Sequence, residues 1–221
     1  GHTSSVNTLA YWPDKGSGRS IVFSGSGDET IRCWDVQGGK LIQEMSRAHA
    51  GYVSSLVMSD EYLISASFDR TICLWHAERR EVLKTLSAHA HCINALCMHE
   101  SGIVLSAAWD QCVRVWDLRV RDEGNGFVAV CMVPSAPLCI AAGEHAVYCG
   151  LHDNSIVAMD LRTGTQSNCF EGHNGYVTSL QLGRTQRDLL SGSQDGTVRL
   201  TNVRTGQGRA VVDTDQSCFS V

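Results

Sequence analysis

The segment VFSGSGDETIRCWDV, residues 22–36, has the pattern of two short strands joined by a tight turn. Apolar residues alternate with small or polar ones on both sides of Asp28, which is the two-residue period of a half-buried strand. Asp28 and Glu29 are residue types that tight turns accept. The segment therefore predicts a β-hairpin with Asp28 in its turn.

The hairpin pattern occurs five times, and the five segments superpose without gaps around an aspartate. They cover residues 22–36, 63–77, 104–118, 147–161 and 189–203. Their turn aspartates are Asp28, Asp69, Asp110, Asp153 and Asp195, spaced by 41, 41, 43 and 42 residues. A period of this length is typical of propellers and solenoids, in which each repeat is one supersecondary unit.

Two further strands are predicted around each hairpin. Four hairpins are preceded by a dipeptide ending in histidine and then by an alternating segment, as in VNTLAYW (6–12) and VSSLVMS (53–59). Segments such as KLIQEMS (40–46) and EVLKTLS (81–87) follow the hairpins and predict a fourth strand. Each repeat is therefore expected to form a four-stranded antiparallel sheet.

A unit of about forty residues with a leading Gly-His and a trailing Trp-Asp resembles the WD-repeat family of β-propellers. The resemblance covers essentially the whole chain and implies an all-β fold of four-stranded antiparallel blades. We predict one WD-repeat propeller region over residues 1–221, with repeats at about 1–46, 47–86, 87–130, 131–170 and 171–214. The fourth repeat is degenerate, because it has Met159 at the tryptophan position and no leading histidine.

Propellers need a closed ring to remove exposed strand edges, and seven blades is the usual number in this family. Since five repeats are present, we expect further blades outside this sequence; a closed five-bladed ring is the alternative. The last four residues, CFSV (218–221), have the outline of a prenylation box, but Ser220 fits its apolar position poorly. The segment also aligns with the start of another inner strand.

The resemblance implies a hydrogen-bonded tetrad in each complete repeat, formed by the leading histidine, a serine four residues before the turn aspartate, the aspartate and the tryptophan. The tetrads are His2, Ser24, Asp28 and Trp34; His49, Ser65, Asp69 and Trp75; His89, Ser106, Asp110 and Trp116; and, without a tryptophan, His173, Ser191 and Asp195. Serine, histidine and aspartate also form nucleophilic triads. A catalytic set is needed once, however, whereas this one recurs, so no catalytic residue and no cofactor are predicted.

Composition and charge limit the classes of partner. The chain is 43% hydrophobic and has a formal net charge of −5. Its sequence contains no dense basic run, and no apolar run that is long enough to cross a bilayer. We therefore expect protein or peptide partners, no nucleic acid and no membrane insertion. The ten cysteines are scattered singly, several of them in predicted strands. They are interpreted as buried free thiols of a cytoplasmic or nuclear protein.

The densest cluster of metal-ligand types is HAHCINALCMH, residues 89–99. Its side chains suit zinc, but His89 is assigned to a tetrad, and a strand carries Cys97 and His99 away from Cys92. No Cys-x-x-Cys pair occurs in the sequence. We therefore predict no metal site.

Binding residues are sought among large side chains that the repeat does not require. The residue before the turn aspartate is Phe68, Trp109 or His152 in the middle repeats, and Tyr52 and Tyr176 stand three residues after a leading histidine. Aromatic residues are frequent interface hot spots. With His91 nearby, Tyr52, Phe68 and Trp109 are predicted to form one aromatic patch; the alternative is that Phe68 and Trp109 fill gaps between blades.

A second binding hypothesis depends on residues 104–119, VLSAAWDQCVRVWDLR, which end in Trp-Asp-x-Arg. This resembles the extended pattern of WD proteins that dock onto the adaptor of a cullin-RING ubiquitin ligase, with Arg119 and Asp117 as contact residues. Arg119 can equally be a solvated hairpin residue or pair with a neighbouring carboxylate. The main hypothesis is a non-catalytic interaction scaffold within a larger multidomain protein or complex; the alternative is a substrate receptor of such a ligase.

Overall fold

The computed structural model describes residues 1–14, 18–46, 49–100, 102–119 and 126–214. Every regular element in these ranges is a β-strand, and the strands form five four-stranded antiparallel sheets. Strands that are consecutive in the chain are neighbours in each sheet. These features confirm the predicted all-β fold built from four-stranded blades.

The chain divides into two compact units, and the first is Gly1–Gly102. Its strands are β1 (Val6–Asp14), β2 (Arg19–Ser26), β3 (Ile31–Asp35), β4 (Lys40–Met45), β5 (Val53–Ser59), β6 (Tyr62–Ser67), β7 (Thr71–His76), β8 (Glu81–Ser87) and β9 (Ile93–Glu100). Strand β5 packs against β1 and β2. Phe23, Val53 and Leu63 are fully buried in the core between these sheets.

The second unit is Ile103–Val221. Its strands are β10 (Ile103–Ala108), β11 (Cys112–Asp117), β12 (Phe127–Met132), β13 (Pro137–Ala142), β14 (Ala146–Leu151), β15 (Ile156–Asp160), β16 (Gln166–Phe170), β17 (Val177–Leu182), β18 (Asp188–Ser193), β19 (Thr197–Asn202) and β20 (Gly208–Asp213). Strand β17 packs against β13 and β14, and Val177 and Leu189 are fully buried there.

The turn that contains each repeated aspartate has the same backbone conformation in all five sheets. The residue after the aspartate has a positive φ, between 60° and 79°, and its N–H donates to the carbonyl three residues earlier. This is a hairpin loop with a left-handed residue at its end, a conformation that glycine accepts most readily. Only the fifth turn has glycine there; the five residues are Glu29, Arg70, Gln111, Asn154 and Gly196.

The predicted repeat boundaries remain a prediction. The sheets themselves span residues 6–45, 53–87, 93–132, 137–170 and 177–213. The C-terminal segment 218–221, whose sequence is compatible with a prenylation box or with an inner strand, lies outside the described residues.

Candidate functional site

The first repeat brings its four tetrad residues into one hydrogen-bonded chain. His2 Nδ1–H donates to Asp28 Oδ2 at 2.9 Å, and His2 Nε2 lies 2.7 Å from Ser24 Oγ. The Trp34 indole N–H donates to the same hydroxyl at 2.8 Å. The chain therefore links the loop before β1, the strand β2, the turn beyond it and the strand β3.

The second repeat has the same arrangement at nearly the same distances. His49 lies 3.0 Å from Asp69 Oδ2 and 2.7 Å from Ser65 Oγ, and the Trp75 indole N–H donates to Ser65 Oγ at 2.9 Å. Ser65 is fully buried, and Trp75 is only 2% exposed. Because water cannot replace a lost partner at this depth, each of these hydrogen bonds has to be made within the protein.

The fifth repeat has the tetrad without its tryptophan, and the third repeat keeps the contact between its tryptophan and serine. In the fifth repeat His173 lies 3.2 Å from Asp195 and 2.8 Å from Ser191, and Thr201 stands where the tryptophan would be. In the third repeat the Trp116 indole N–H donates to Ser106 Oγ at 2.8 Å. His89 of that repeat is buried.

Hydroxyl residues on both sides of the aspartate were missed by the sequence analysis. The residue two positions after the aspartate donates its hydroxyl hydrogen to the Oδ1 atom of the carboxylate at 2.6–2.7 Å; these residues are Thr30, Thr71, Ser155 and Thr197. The serine two positions before it accepts the aspartate N–H at 3.0–3.1 Å; these residues are Ser26, Ser67 and Ser193. Their recurrence at fixed offsets was visible in the sequence, but strand alternation alone also explains it.

The carboxylates of Asp28, Asp69 and Asp195 are held in the ionised form. Burial would raise the pKa of Asp69, but hydrogen bonds from His49, Thr71 and the Ala50 N–H outweigh it and hold that pKa well below its usual range. The pKa values of Asp28 and Asp195 are lowered by equivalent hydrogen bonds.

The pKa values of two tetrad histidines, His49 and His173, are shifted in opposite directions. Burial would lower the pKa of His49, but the hydrogen bond to Asp69 and the contact with Cys73 raise it to about 9. Burial lowers the pKa of His173, and the Arg199 charge adds to this effect against the pull of Asp195. Cys73 and Arg199 occupy the same position, four residues after the turn aspartate. This position therefore distinguishes the two histidines electrostatically.

These shifts predict pH dependences of opposite sign. The pKa of His49 is raised above its unfolded value near 6.5, so its contribution to the free energy of unfolding is complete below pH 6.5 and is lost as pH rises to about 9. We expect His49→Gln to flatten this fall when chemical denaturation is measured between pH 6 and 9. His173→Gln is the matched control. Because the pKa of His173 is lowered, its contribution to the free energy of unfolding is lost as pH falls, so this variant should differ from wild type in pH dependence below pH 6.5. Parallel curves for wild type and His49→Gln would contradict the assignment.

The fourth repeat lacks the tetrad chemistry. Its turn aspartate, Asp153, is exposed, and Oδ1 accepts the N–H and hydroxyl of Ser155 at 3.1 and 2.6 Å. Cys149 and Met159 stand at the serine and tryptophan positions and are buried. Asp153 lines a cavity of about 590 Å³ that also includes Cys169 and Glu171.

In the second unit the structure brings together three of the predicted binding residues. The rings of Trp109 and His152 have centroids 5.2 Å apart, and His152 stacks on Tyr176 at 4.0 Å. Trp109 is 40% exposed and Tyr176 39%, so their rings reach the surface. This row of three rings, Trp109, His152 and Tyr176, is called the ring row below.

In the first unit Tyr52 and Phe68 form a separate pair, with ring centroids 5.8 Å apart and exposures of 53% and 41%. His91 Nδ1 accepts the N–H of Cys92 at 2.9 Å, a contact within its own loop. The predicted patch of Tyr52, Phe68 and Trp109 therefore remains a prediction as a whole. The packing of Trp109 against His152 is a contact that the sequence pattern does not indicate.

Arg119 lies beside Asp117 in the hairpin where the sequence places it. Its Nε–H and Nη2–H donate to the two carboxylate oxygens of Asp117 at 2.9 and 2.8 Å, and its side chain is 63% exposed. The pKa of Asp117 is lowered by these hydrogen bonds. The geometry is that of a local ion pair on the surface.

Within the described ranges, no three His, Cys, Asp or Glu side chains are close enough together to hold a metal ion. Nine cysteines are free thiols there, and six of them are buried: Cys33, Cys73, Cys112, Cys131, Cys139 and Cys149. The same part of the chain contains no helix that is long and apolar enough to span a membrane.

Comparison with known proteins identifies relatives along most of the chain. The chain is 25% identical to autophagy-related protein 16 of Arabidopsis thaliana over 189 residues, which are 83% of this chain and 36% of that protein. It is 27% identical to ribosome biogenesis protein YTM1 of Yarrowia lipolytica over 96% of this chain and 44% of that protein. It is 27% identical to small ribosomal subunit protein RACK1y of Oryza sativa subsp. japonica over 96% of this chain and 52% of that protein. The chain thus spans about a third to a half of these relatives.

Four ranges of the chain, residues 1–35, 39–76, 80–117 and 164–202, match the family described as WD domain, G-beta repeat. Together they cover more than half of the chain, and they leave out the degenerate repeat around Asp153 and Met159. The matched ranges contain the complete tetrads described above. The chain therefore belongs to the WD40 family of WD-repeat proteins.

Proposed function

We propose that this protein is a non-catalytic scaffold that binds a protein or peptide partner through aromatic side chains beside its turn aspartates. WD40 membership supports an interaction role, and two of the relatives are named for ribosome biogenesis and for the small ribosomal subunit. The chain covers only part of these relatives, so its own partner has to be found by experiment.

The ring row is the observation that carries the proposal. Trp109 and His152 directly precede turn aspartates, and Tyr176 lies three residues after a leading histidine, so three different loops supply the rings. None of the three is needed for a tetrad. Partly exposed aromatic rings that pack against one another lose little side-chain entropy when a partner covers them. Such preorganised aromatic residues are typical hot spots.

The tetrads support a structural role for the serine, histidine and aspartate residues. Ser24, Ser65 and Ser191 are at most 3% exposed. A substrate therefore cannot reach their hydroxyls, and the hydroxyls of Ser24 and Ser65 already accept an indole N–H. We infer that they stabilise the blades and take no part in chemistry.

The expected partner is a protein, and the expected compartment is reducing. The net charge of −5 and the absence of a dense basic run in the sequence disfavour phosphate recognition. Free thiols at the nine described cysteines suit the cytoplasm or nucleus.

Removal of the Trp109 side chain tests the function. A pulldown with mass spectrometry would first identify the partner, and calorimetry would then measure its affinity. Trp109→Ala should weaken binding by about 30-fold, or about 2 kcal/mol, because the variant loses a hot-spot ring, and the melting temperature should change by only a few degrees. Tyr11→Ala removes an aromatic ring that is 56% exposed on β1 and serves as the control. A large loss of melting temperature with unchanged affinity would support gap filling instead.

The alternative function, docking onto a cullin-RING ligase adaptor, has weaker support. Arg119 is exposed, as an adaptor contact would require, but two of its donors already bind Asp117 in the same hairpin. This pairing matches the other interpretation of the motif, a solvated hairpin residue beside a carboxylate. The scaffold function is therefore the one we propose.

A further inference from the structure

The fourth strand of each sheet is an edge strand, and β12 differs from the other four in composition. Edge strands have unpaired backbone N–H and C=O groups, and proteins usually protect them with charged or polar side chains. The other edge strands, β4, β8, β16 and β20, all carry such residues, as in KLIQEM and EVLKTLS. Strand β12 reads FVAVCM and has no charged, hydroxyl or amide side chain.

The apolar side chains of β12 are at the surface. Val128, Val130 and Met132 alternate along one face of the strand and are 58%, 43% and 62% exposed, and Phe127 at its start is 50% exposed. Single exposed apolar residues are ordinary, but an uninterrupted apolar edge strand favours pairing with a further strand. Among the described strands, β12 is hydrogen-bonded only to β11.

The charge next to this edge indicates what the added strand should carry. Arg32 on β3 lies opposite Glu44 on β4, and its Nη2–H donates to that carboxylate at 2.7 Å. Arg114 occupies the equivalent position on β11, but the residue opposite is Val130. Arg114 lies 5.9 Å from the Phe127 ring. Its buried Nε has no hydrogen-bond partner among the described residues, which is also true of the Nε atoms of Arg32 and Arg199. The position opposite this arginine is thus a glutamate in the first sheet and a valine in the third, as it also is in the fifth sheet, where Arg199 lies opposite Val211.

We propose that β12 is a docking edge that accepts an extended segment of a partner protein, with alternating apolar and acidic residues, as a further strand. The backbone of the segment would pair with the free edge of β12. Its apolar side chains would cover Val128 and Val130, and an acidic side chain would reach Arg114 across Val130. A second copy of β12 would supply no carboxylate, so a different chain is the better complement. The ring row lies on other loops, and the two sites can be tested independently.

A peptide-binding experiment tests the proposal. The probe is a fluorescein-labelled peptide of about nine residues in which valine and glutamate alternate, a length that covers one strand. Fluorescence anisotropy should show saturable binding of this peptide with a dissociation constant below about 1 mM. Hydrogen exchange should show new protection of amides in 127–132. A peptide in which lysine replaces glutamate should bind at least about 10-fold more weakly, because Arg114 would repel it.

Matched variants locate the site. Val130→Lys puts a protective charge on the edge and should weaken binding at least about 10-fold. Val211→Lys makes the same substitution on β20, opposite Arg199 of β19, and should change the affinity for the peptide by less than about 2-fold. Arg114→Gln should weaken binding of the glutamate peptide but not of a glutamine analogue. If Val130→Lys folds poorly by circular dichroism, Val128→Lys at a more exposed position replaces it.

Three results would overturn the proposal. The first is no saturable binding of the glutamate peptide. The second is an equal loss of affinity in Val130→Lys and Val211→Lys. The third is a wild-type dimer in sedimentation velocity that Val130→Lys dissociates, which would make a second copy the occupant of β12.

Discussion

Ser65→Ala should lower the free energy of unfolding by about 3 kcal/mol, because it leaves two buried polar groups without a partner. The Trp75 indole N–H and His49 Nε2 both bind the Ser65 hydroxyl, at 2.9 and 2.7 Å. Trp75 is 2% exposed and His49 7%, so water cannot easily reach either group. Urea denaturation followed by tryptophan fluorescence measures the loss.

Ser87→Ala is the control for this prediction. It makes the same chemical change in the same sheet, on the edge strand β8, where Ser87 is exposed. Its effect should stay within about 0.5 kcal/mol, as for most surface substitutions. If Ser65→Ala is equally mild, the tetrad is not a significant source of stability in this repeat.

Gly25→Ala should destabilise the first unit by about 1–3 kcal/mol, because the added methyl group overpacks the contact between its first two sheets. A Cβ atom at Gly25 would lie 2.5 Å from Val53 Cγ1 and 2.8 Å from Thr8 Cγ2. Val53 is fully buried on β5, and β5 packs against β1 and β2, so it has little room to move. Thermal unfolding and urea titration would measure the change.

A double-mutant cycle with Val53→Ala tests the proposed cause. The single change Val53→Ala leaves a cavity, whereas Gly25→Ala fills space, so the double variant should lose less stability than the sum of the two. Gly208→Ala, at an exposed position with no atom within 4 Å of the added Cβ, is the neutral control. Strict additivity of the two single changes would contradict the predicted clash.

The tetrads show why some of the site was predictable. His2, Ser24, Asp28 and Trp34 are far apart in sequence, yet their offsets repeat in phase with the strand pattern, and the WD-repeat resemblance assigns each a place. The hydroxyl of Thr30 was not predicted, because a threonine in an alternating strand has an ordinary explanation. Its contact with Asp28 depends on the backbone of the turn, which only the folded hairpin defines.

The aromatic residues illustrate the opposite case. Phe68, Trp109 and His152 occupy equivalent positions in successive repeats, so sequence offsets treat them alike. In the structure Phe68 packs with Tyr52, whereas Trp109 packs with His152, and His152 stacks on Tyr176. Ring partners depend on side-chain rotamers and on the separation of loops in space, and a repeat period carries no information about either.

Periodicity was sufficient to establish the four-stranded sheets, the turn aspartates and the degenerate fourth repeat, because a repeated hydrophobic pattern with one strong turn residue allows few folds. Packing decided the rest. The fold placed Cys73 near His49 but Arg199 near His173, and so separated their pKa values. It also exposed the apolar residues of β12 and grouped the rings of the ring row. These properties depend on distances between residues that are remote in the chain, which a linear pattern does not specify.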